Sequence, residues 1–368
     1  MCGLTETDWT PDHNTLHDFM EPMGEQGIRL INEYAVEWAV EERLADPKVL
    51  VADTTAQEGV LPYPNEIGLM GSFLTTVVAA SKKSGQALKD FVSRAAQKIA
   101  AAKEKVREYR LFAKNKTKAG KDRMTAQLAT LVEAIQAQLG KALKAAEASK
   151  ERLGKYARLA TAKVEQLHGT MSKLVPQIRY WLRTGFVAAD KIISLHIPEL
   201  YSIVRGKVGK KVEFGLSWGI RRLKGGYLLA TVASAKKELL DARFAISAVD
   251  EHIALFGKPP TAYAYDRGGW SKRNIIELQK RGVKEVGLAP RGRAEWKVSA
   301  ATKKKLVSER AQVEGAIGTI KHAKYGFNRP AARSAKMMAF CGQSATLGFN
   351  LNKLVRELAK REKVQLVG

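Results

Sequence analysis

Cysteine is nearly missing from this chain. Cys2 and Cys341 are the only two, and so distant a pair makes neither a disulfide framework nor a zinc-ligand spacing. A reducing, cytoplasmic setting is expected. The six histidines, at 13, 17, 168, 196, 252 and 322, form no HxH or HExxH pattern, so a histidine metal site has no support. No apolar run is long enough to span a bilayer. The opening "MCGLTETDWTPDHN" is polar and acidic, unlike a secretory signal. Acidic residues are also scarce, 37 Asp and Glu against 62 Lys and Arg, for a formal charge of +25 and a pI near 9.9. Such an excess repels itself unless a polyanion is the partner. Nucleic acid is the leading candidate. An anionic membrane surface comes second, without an amphipathic terminal anchor to favour it.

What is present is enough for a packed core. The chain has 368 residues, 45% of them hydrophobic, sufficient for one large domain with an insertion or for two domains. Residues 10–47 read as helical, with Thr10-Pro11 as N-cap and first helical position. In "KVLVADTT" (48–55) a continuous apolar run stops on Asp53, the profile of a buried central strand with a carboxylate at its end. From 71 to 195 the text becomes rich in Ala, Lys, Gln, Glu and Leu, all strong helix formers, and proline is absent until Pro176. Within it, 101–163 carries 16 Lys and Arg against 6 Asp and Glu. This predicts a basic helical hairpin, with Gly120-Lys121-Asp122 as its turn, inserted into another fold.

Strand-like text returns at 210–222 and 225–232, with Lys224-Gly225-Gly226 as a hairpin turn. A helix over 234–256 follows. "TAYAYD" (261–266) is a second apolar strand ending on an aspartate, Ser271 caps a helix to about 281, and "VKEVGLAP" (283–290) is a further strand. Helices over 302–323 and 331–362 close the chain. Without the insertion the order is βββαβαβα, which matches a ribonuclease H-like fold, a mixed five-stranded sheet covered by helices; short strands alternating with helices also fit other α/β folds. The expected organisation is a helical segment at 1–47, a ribonuclease H-like domain from 48–70 and 196–330, a helical insertion at 71–195 and a helical end at 331–368.

Three carboxylates then acquire matching positions. Asp53 ends the first strand, Asp266 ends the fourth, and Glu314 lies on the helix after the fifth. In such a sheet the first and fourth strands are parallel neighbours, so the two aspartates would sit side by side. Three gathered carboxylates repel each other and call for a cation; all-oxygen ligation suits Mg²⁺ or Mn²⁺. Each acid alone also has a plain structural reading, Asp53 ending a strand and Asp266 serving the "DRGG" turn. On a helical wheel with Leu306 at zero, Val313, Ile317 and Ile320 fall within about 40° and form a core stripe. Arg310, Lys321 and Glu314 fall at roughly 40°, 60° and 80°, along one edge of that stripe. A snorkelling Arg and Lys beside a surface Glu would look the same.

Here the sequence resembles the insertion-sequence DDE transposases, the broad group whose catalytic helix carries a Tyr-x2-Arg-x3-Glu-x6-Lys signature. Arg310, Glu314 and Lys321 keep its spacing, while Val307 stands at the Tyr position. "ADTTAQEGVLPYPNEIGLM", "YDRGGWS" and "YGFNRPAARSAKMMAFCGQSATLGFNLNKL" are similar as well, so the likeness covers about 1–75 and 190–360. It implies Asp53, Asp266 and Glu314 as catalytic metal ligands, Mg²⁺ or Mn²⁺ as cofactor, hydrolysis at transposon ends and strand transfer into target DNA. It also implies double-stranded DNA with terminal inverted repeats as partner, and a homodimer or larger assembly. Arg310 and Lys321 would neutralise phosphate charge. From the residues themselves, Arg205, Lys207, Lys210 and Lys211 around two glycines, and Arg291 and Arg293 beside Trp296, are candidate DNA contacts. Arg267 could pair with Asp266 or with DNA, and Trp218 reads as core. The alternatives are a truncated or repurposed, non-catalytic DNA-binding derivative, to which Val307 and the abrupt start point, and another ribonuclease H-like nuclease. A helical DNA-packaging protein is disfavoured by the Asp-terminated strands.

Overall fold

The apolar run beginning at Val49 organises the sheet. In the computed structural model, which describes residues 12–61, 64–148, 150–204, 212–233, 238–290, 296 and 298–367, it forms β1 (Asp46–Glu58), whose residues from Val49 to Glu58 are all buried except Asp53. A strand buried on both faces needs partners on both edges. β1 runs antiparallel to β3 (Val212–Lys224) on one side and parallel to β5 (Ala262–Tyr265) on the other. Beyond β5 lies β6 (Glu285–Leu288), also parallel. β4 (Leu228–Val232) pairs antiparallel with β3, and a short β2 (Tyr201–Val204) joins β3 at the edge. The sheet is therefore mixed and has six strands rather than the five expected; β2 is the addition, a four-residue strand too short to show a pattern of its own. The remaining strands lie in the order β4-β3-β1-β5-β6. The chain divides into two compact units, one of Met1–Val60 with Ile203–Gly368, the other of Leu61–Ser202.

Helices cover both faces of the sheet in the first unit. In chain order they are α1 (His13–Glu41), α7 (Asp241–Phe256), α8 (Lys272–Lys280), α9 (Ala300–Ile320) and α10 (Ala335–Val367). Asp12, not Thr10, caps α1 by accepting from the Thr15 N–H at 2.7 Å; Thr10 and Pro11 lie outside the described residues. α7 begins later than expected, at Asp241. Ser271 caps α8 as anticipated, accepting from Asn274 N at 3.0 Å, and Ser299 caps α9. The hairpin at Gly225-Gly226 forms because both residues take positive φ, 99° and 95°, which only glycine adopts at little cost.

Period-two alternation sorts β1 between the faces. Leu50 and Ala52 join Tyr263, Tyr265, Phe244 and Ala248 in a core under α7. Gly219, opposite Thr54, is where α7 comes closest: a Cβ there would be driven into the Phe244 ring. On the other face α9 packs over β1 and β5. There Leu306 occupies the space that a Cβ on Gly287 would need. Arg221, with a side chain only 1% exposed, is buried on the α7 face and tied to Glu251 at 2.9 Å; Thr231 donates to the same carboxylate at 2.6 Å.

The second unit is helical: α2 (Glu66–Lys82), α3 (Gln86–Arg94), α4 (Ala96–Phe112), α5 (Lys118–Glu147) and α6 (Lys155–Thr184) around an aliphatic core that includes Phe73, Leu128, Ile135 and Met171. The turn lies earlier than Gly120-Lys121-Asp122, which falls inside α5. Thr117 is the reason: its hydroxyl accepts from Gly120 N and caps α5 there.

Two outcomes follow from the α7 face. Gly219→Ala should lower the unfolding free energy by about 1–3 kcal/mol through overpacking against Phe244, read by urea denaturation. His252, buried and beside Arg221, has its pKa pushed down to about 4, chiefly by burial. The folded state then stays neutral where the unfolded chain takes up a proton. Its contribution is full above about pH 6.5 and is lost as pH falls toward 4, by up to about 3 kcal/mol. His252→Gln should flatten stability over that window relative to wild type.

Candidate functional site

The first candidate, Asp53, sits within β1 and not at its end, because the antiparallel ladder with β3 carries the strand on to Glu58. The parallel ladder behaves differently. It pairs Val49, Leu50 and Val51 with Ala262, Tyr263 and Ala264 and then stops. The same offset continued two residues sets Asp53 against Asp266. Asp53 has the parity of Val49 and Val51, which places it on the face that α9 covers. The spatial relation expected of the two strands is present, with Asp53 placed by register and not by strand termination.

Local hydrogen bonds fix the two aspartates. Asp53 Oδ1 accepts from Thr54 N at 2.7 Å. Asp266 follows β5 in extended backbone (φ −71°, ψ 173°) and its Oδ1 accepts from Gly268 N at 2.6 Å, capping the short turn Arg267–Gly269. The "DRGG" turn needs glycine at 268 for a steric reason. A Cβ there would lie 2.7 Å from Asp266 Oδ1 and would also collide with Asp241 Oδ2. Two carboxylates therefore flank one glycine.

Asp241 was not among the sequence-derived residues. It stands in the first turn of α7 and accepts from the Thr54 hydroxyl at 2.8 Å and the Tyr265 hydroxyl at 3.2 Å. Those bonds join α7, β1 and β5 at one point. The signal available in sequence was weak: an acid in the first helical turn is favoured by the helix dipole, but the helix was expected to begin at 234, which hid Asp241 in its interior. Burial pushes the Tyr265 phenol well above its usual range, with Asp241, Asp53 and Asp266 adding to the effect. Burial raises Tyr263 likewise, and Asp53 and Asp266 reinforce it against the opposing Arg221. Both phenols stay protonated at neutral pH, and Tyr265 is a donor to Asp241.

Glu314 is placed differently. The stripe of Leu306, Val313, Ile317 and Ile320 is buried as the wheel requires. One flank of α9 is anchored to the sheet through Arg222, which lies opposite Val51. Arg222 Nη1 bonds Glu309 at 2.7 Å, both side chains largely buried, and its Nη2 bonds Gln312. Arg310, Glu314 and Lys321 lie on the other flank. Glu314 is 58% exposed and pairs with Arg310 at 3.3 Å. Among the described residues no group of three or more His, Cys, Asp or Glu side chains is close enough to hold a metal ion. Asp53 and Asp266 offer the hard oxygen donors that Mg²⁺ or Mn²⁺ prefers, but Glu314 is not gathered with them.

Arg205, Lys207, Lys210, Lys211, Arg291 and Arg293 lie outside the described residues. Val307, at the position where the resembled signature has Tyr, is 52% exposed. Trp218 is fully buried, edge-on to Phe327 at 5.3 Å between ring centroids. Trp296 is half-buried, with the Lys303 ammonium 5.9 Å from its ring centroid. No family model, curated protein or solved structure matches this chain.

The anchoring of α9 is open to direct measurement. Glu309→Gln leaves the buried Arg222 guanidinium without its carboxylate and should cost about 2 kcal/mol, read as a lowered urea midpoint with an unchanged m-value. Glu314→Gln, which removes only an exposed pair, should stay within about 0.5 kcal/mol of wild type.

Proposed function

We propose that this protein is a DNA transposase of the DDE kind: a metal-dependent phosphodiester hydrolase and strand transferase with Asp53, Asp266 and Glu314 as its acidic set. The observation that carries the reading is the β1–β5 register, whose offset, continued two residues past its last pair, sets Asp53 against Asp266. Its support comes also from the strand order β4-β3-β1-β5-β6, which is that of a ribonuclease H-like sheet, and from α9 crossing the two strands that carry them. The Arg310-x3-Glu314-x6-Lys321 spacing and the +25 charge agree.

In this reading Asp53 and Asp266 would hold Mg²⁺ or Mn²⁺, which would supply activation of an attacking oxygen and stabilisation of a leaving one. Glu314, which is not gathered with them here, would join the set only by giving up its Arg310 partner. That exchange is cheap, because an exposed ion pair contributes at most about 1 kcal/mol. Arg310, so released, and Lys321 neutralise the charge on the phosphate being cut. Asp241, bonded to Thr54 within β1 and to Tyr265 of β5, holds the two strands together beside Asp53 and Asp266, a positioning role.

The test uses duplex DNA carrying the sequence that flanks this gene. Wild type should nick it in Mg²⁺ or Mn²⁺ and not in EDTA. Glu314→Gln should bind the same DNA with cleavage lowered by about 100-fold or more. Cleavage that survives the substitution would remove Glu314 from the site. A wild type that binds but never cleaves would favour the repurposed, non-catalytic derivative.

A further inference from the structure

The helical unit contains a cationic groove outside the acidic site. It is a cleft of about 340 Å³ between α2 and α4, lined by Gly71 and Thr75 from α2 and by Lys103, Val106, Arg107, Arg110 and Leu111 from α4, with no acidic side chain on its walls among the described residues. Gly71 brings the two helices together at its floor: a Cβ there would lie 3.2 Å from Val106 Cγ1. Residues 103, 107 and 110 recur at the i, i+4, i+7 spacing of one helix face, beside the buried stripe of Ile99, Ala102 and Val106. All three cations are exposed.

None of the three has a strong ion pair among the described residues. Lys105, two residues from Lys103, is neutralised by Glu108 at 2.7 Å. Arg107 has only a loose contact with Glu104 at 3.8 Å, both side chains well exposed at 72% and 57%, which contributes little. Lys103 and Arg110 have no ion pair among the described residues. Three adjacent like charges held on a rigid helix cost free energy at this spacing, and an anionic ligand would offset that cost.

We propose that this groove binds the phosphate backbone of one strand of duplex DNA, with Lys103, Arg107 and Arg110 as the contacts and the Gly71–Thr75 wall giving the strand room to approach. The seven-residue span covers about 10 Å along the helix. Successive phosphates of one strand advance about 3.4 Å along the duplex axis, so the stripe spans about three such steps. Contacts of this kind carry no base information and set position and affinity. The assignment rests on the reading of the chain as acting on DNA, yet it concerns residues other than those of the chemistry and is separable from it.

The measurement is the salt dependence of binding to a 30-base-pair duplex by the full chain. The substituted proteins are Lys103→Gln/Arg107→Gln/Arg110→Gln, the single Arg107→Gln, and a control, Lys141→Gln/Lys144→Gln/Lys173→Gln, that removes the same charge from exposed positions elsewhere in the helical unit. Each lost phosphate contact should flatten the slope of log K against log salt by about 0.9. The groove triple should therefore flatten it by about 2.7 and weaken binding by more than tenfold at low salt, the single variant by about one contact, and the control by distinctly less than the groove triple. Equal losses in groove and control triples would mean that only net charge matters and would overturn the groove. So would a groove triple with wild-type slope, and in that case Mg²⁺-dependent cleavage retained by the same protein would leave the transposase reading standing. Arg107→Gln, a fully surface change, supplies the slope should the triple variant fail to fold.

Discussion

β1 has to be buried on every side, and the first unit is arranged around that constraint. Nine of the ten residues from Val49 to Glu58 are inaccessible to solvent, so both edges need a ladder and both faces need a helix. β3 and β5 supply the edges, and α7 and α9 supply the faces. The two ladders differ in length. Past Val51 the parallel one ends while the antiparallel one continues, and this mismatch opens the sheet beside Asp53, the one residue of the run that is not buried. A carboxylate here has backbone donors to accept from and neighbours of the same charge close by. Structural need and candidate chemistry thus share one strand, and Asp241 with its two hydroxyl donors is the brace that ties β1 at Thr54 to β5 at Tyr265.

The charge of this protein divides by what surrounds it. Arg221 and Arg222, buried on opposite faces of β3, are held by Glu251 and Glu309, because a buried guanidinium without a carboxylate is costly. These two are part of the fold. On α4 the burial is absent and so is the need for partners. The cations of the groove are left for an external anion. The +25 excess is therefore not spread evenly in its consequences: the part that is tied fixes α7 and α9 on the sheet, and the part that is untied is available for binding.

The sequence by itself determined what depends on local chemistry. Serine at 271 and 299 caps α8 and α9 because a hydroxyl can reach an N–H three residues on. Gly225-Gly226 turns the β3–β4 hairpin because positive φ is open to glycine, and the Leu306–Ile320 stripe is buried because its period matches the helix. Even the parallel pairing of the strands around Asp53 and Asp266 was legible, since the order βββαβαβα, matched to a ribonuclease H-like sheet, makes its first and fourth strands parallel neighbours. Tertiary structure alone decided the rest. Asp53 was read as a strand end because sequence shows where an apolar run stops and not how far a partner strand extends the ladder. Asp241 became visible only once α7 started there and folded back to meet Thr54 and Tyr265, residues far away in sequence. The turn before α5 moved to Thr117 because a cap outcompetes a glycine that the helix can absorb. Glu314 kept its place on the helix edge, yet its partner in this structure is Arg310 one turn away, since a side chain on an exposed flank takes the nearest opposite charge and sequence spacing cannot say which neighbour that is.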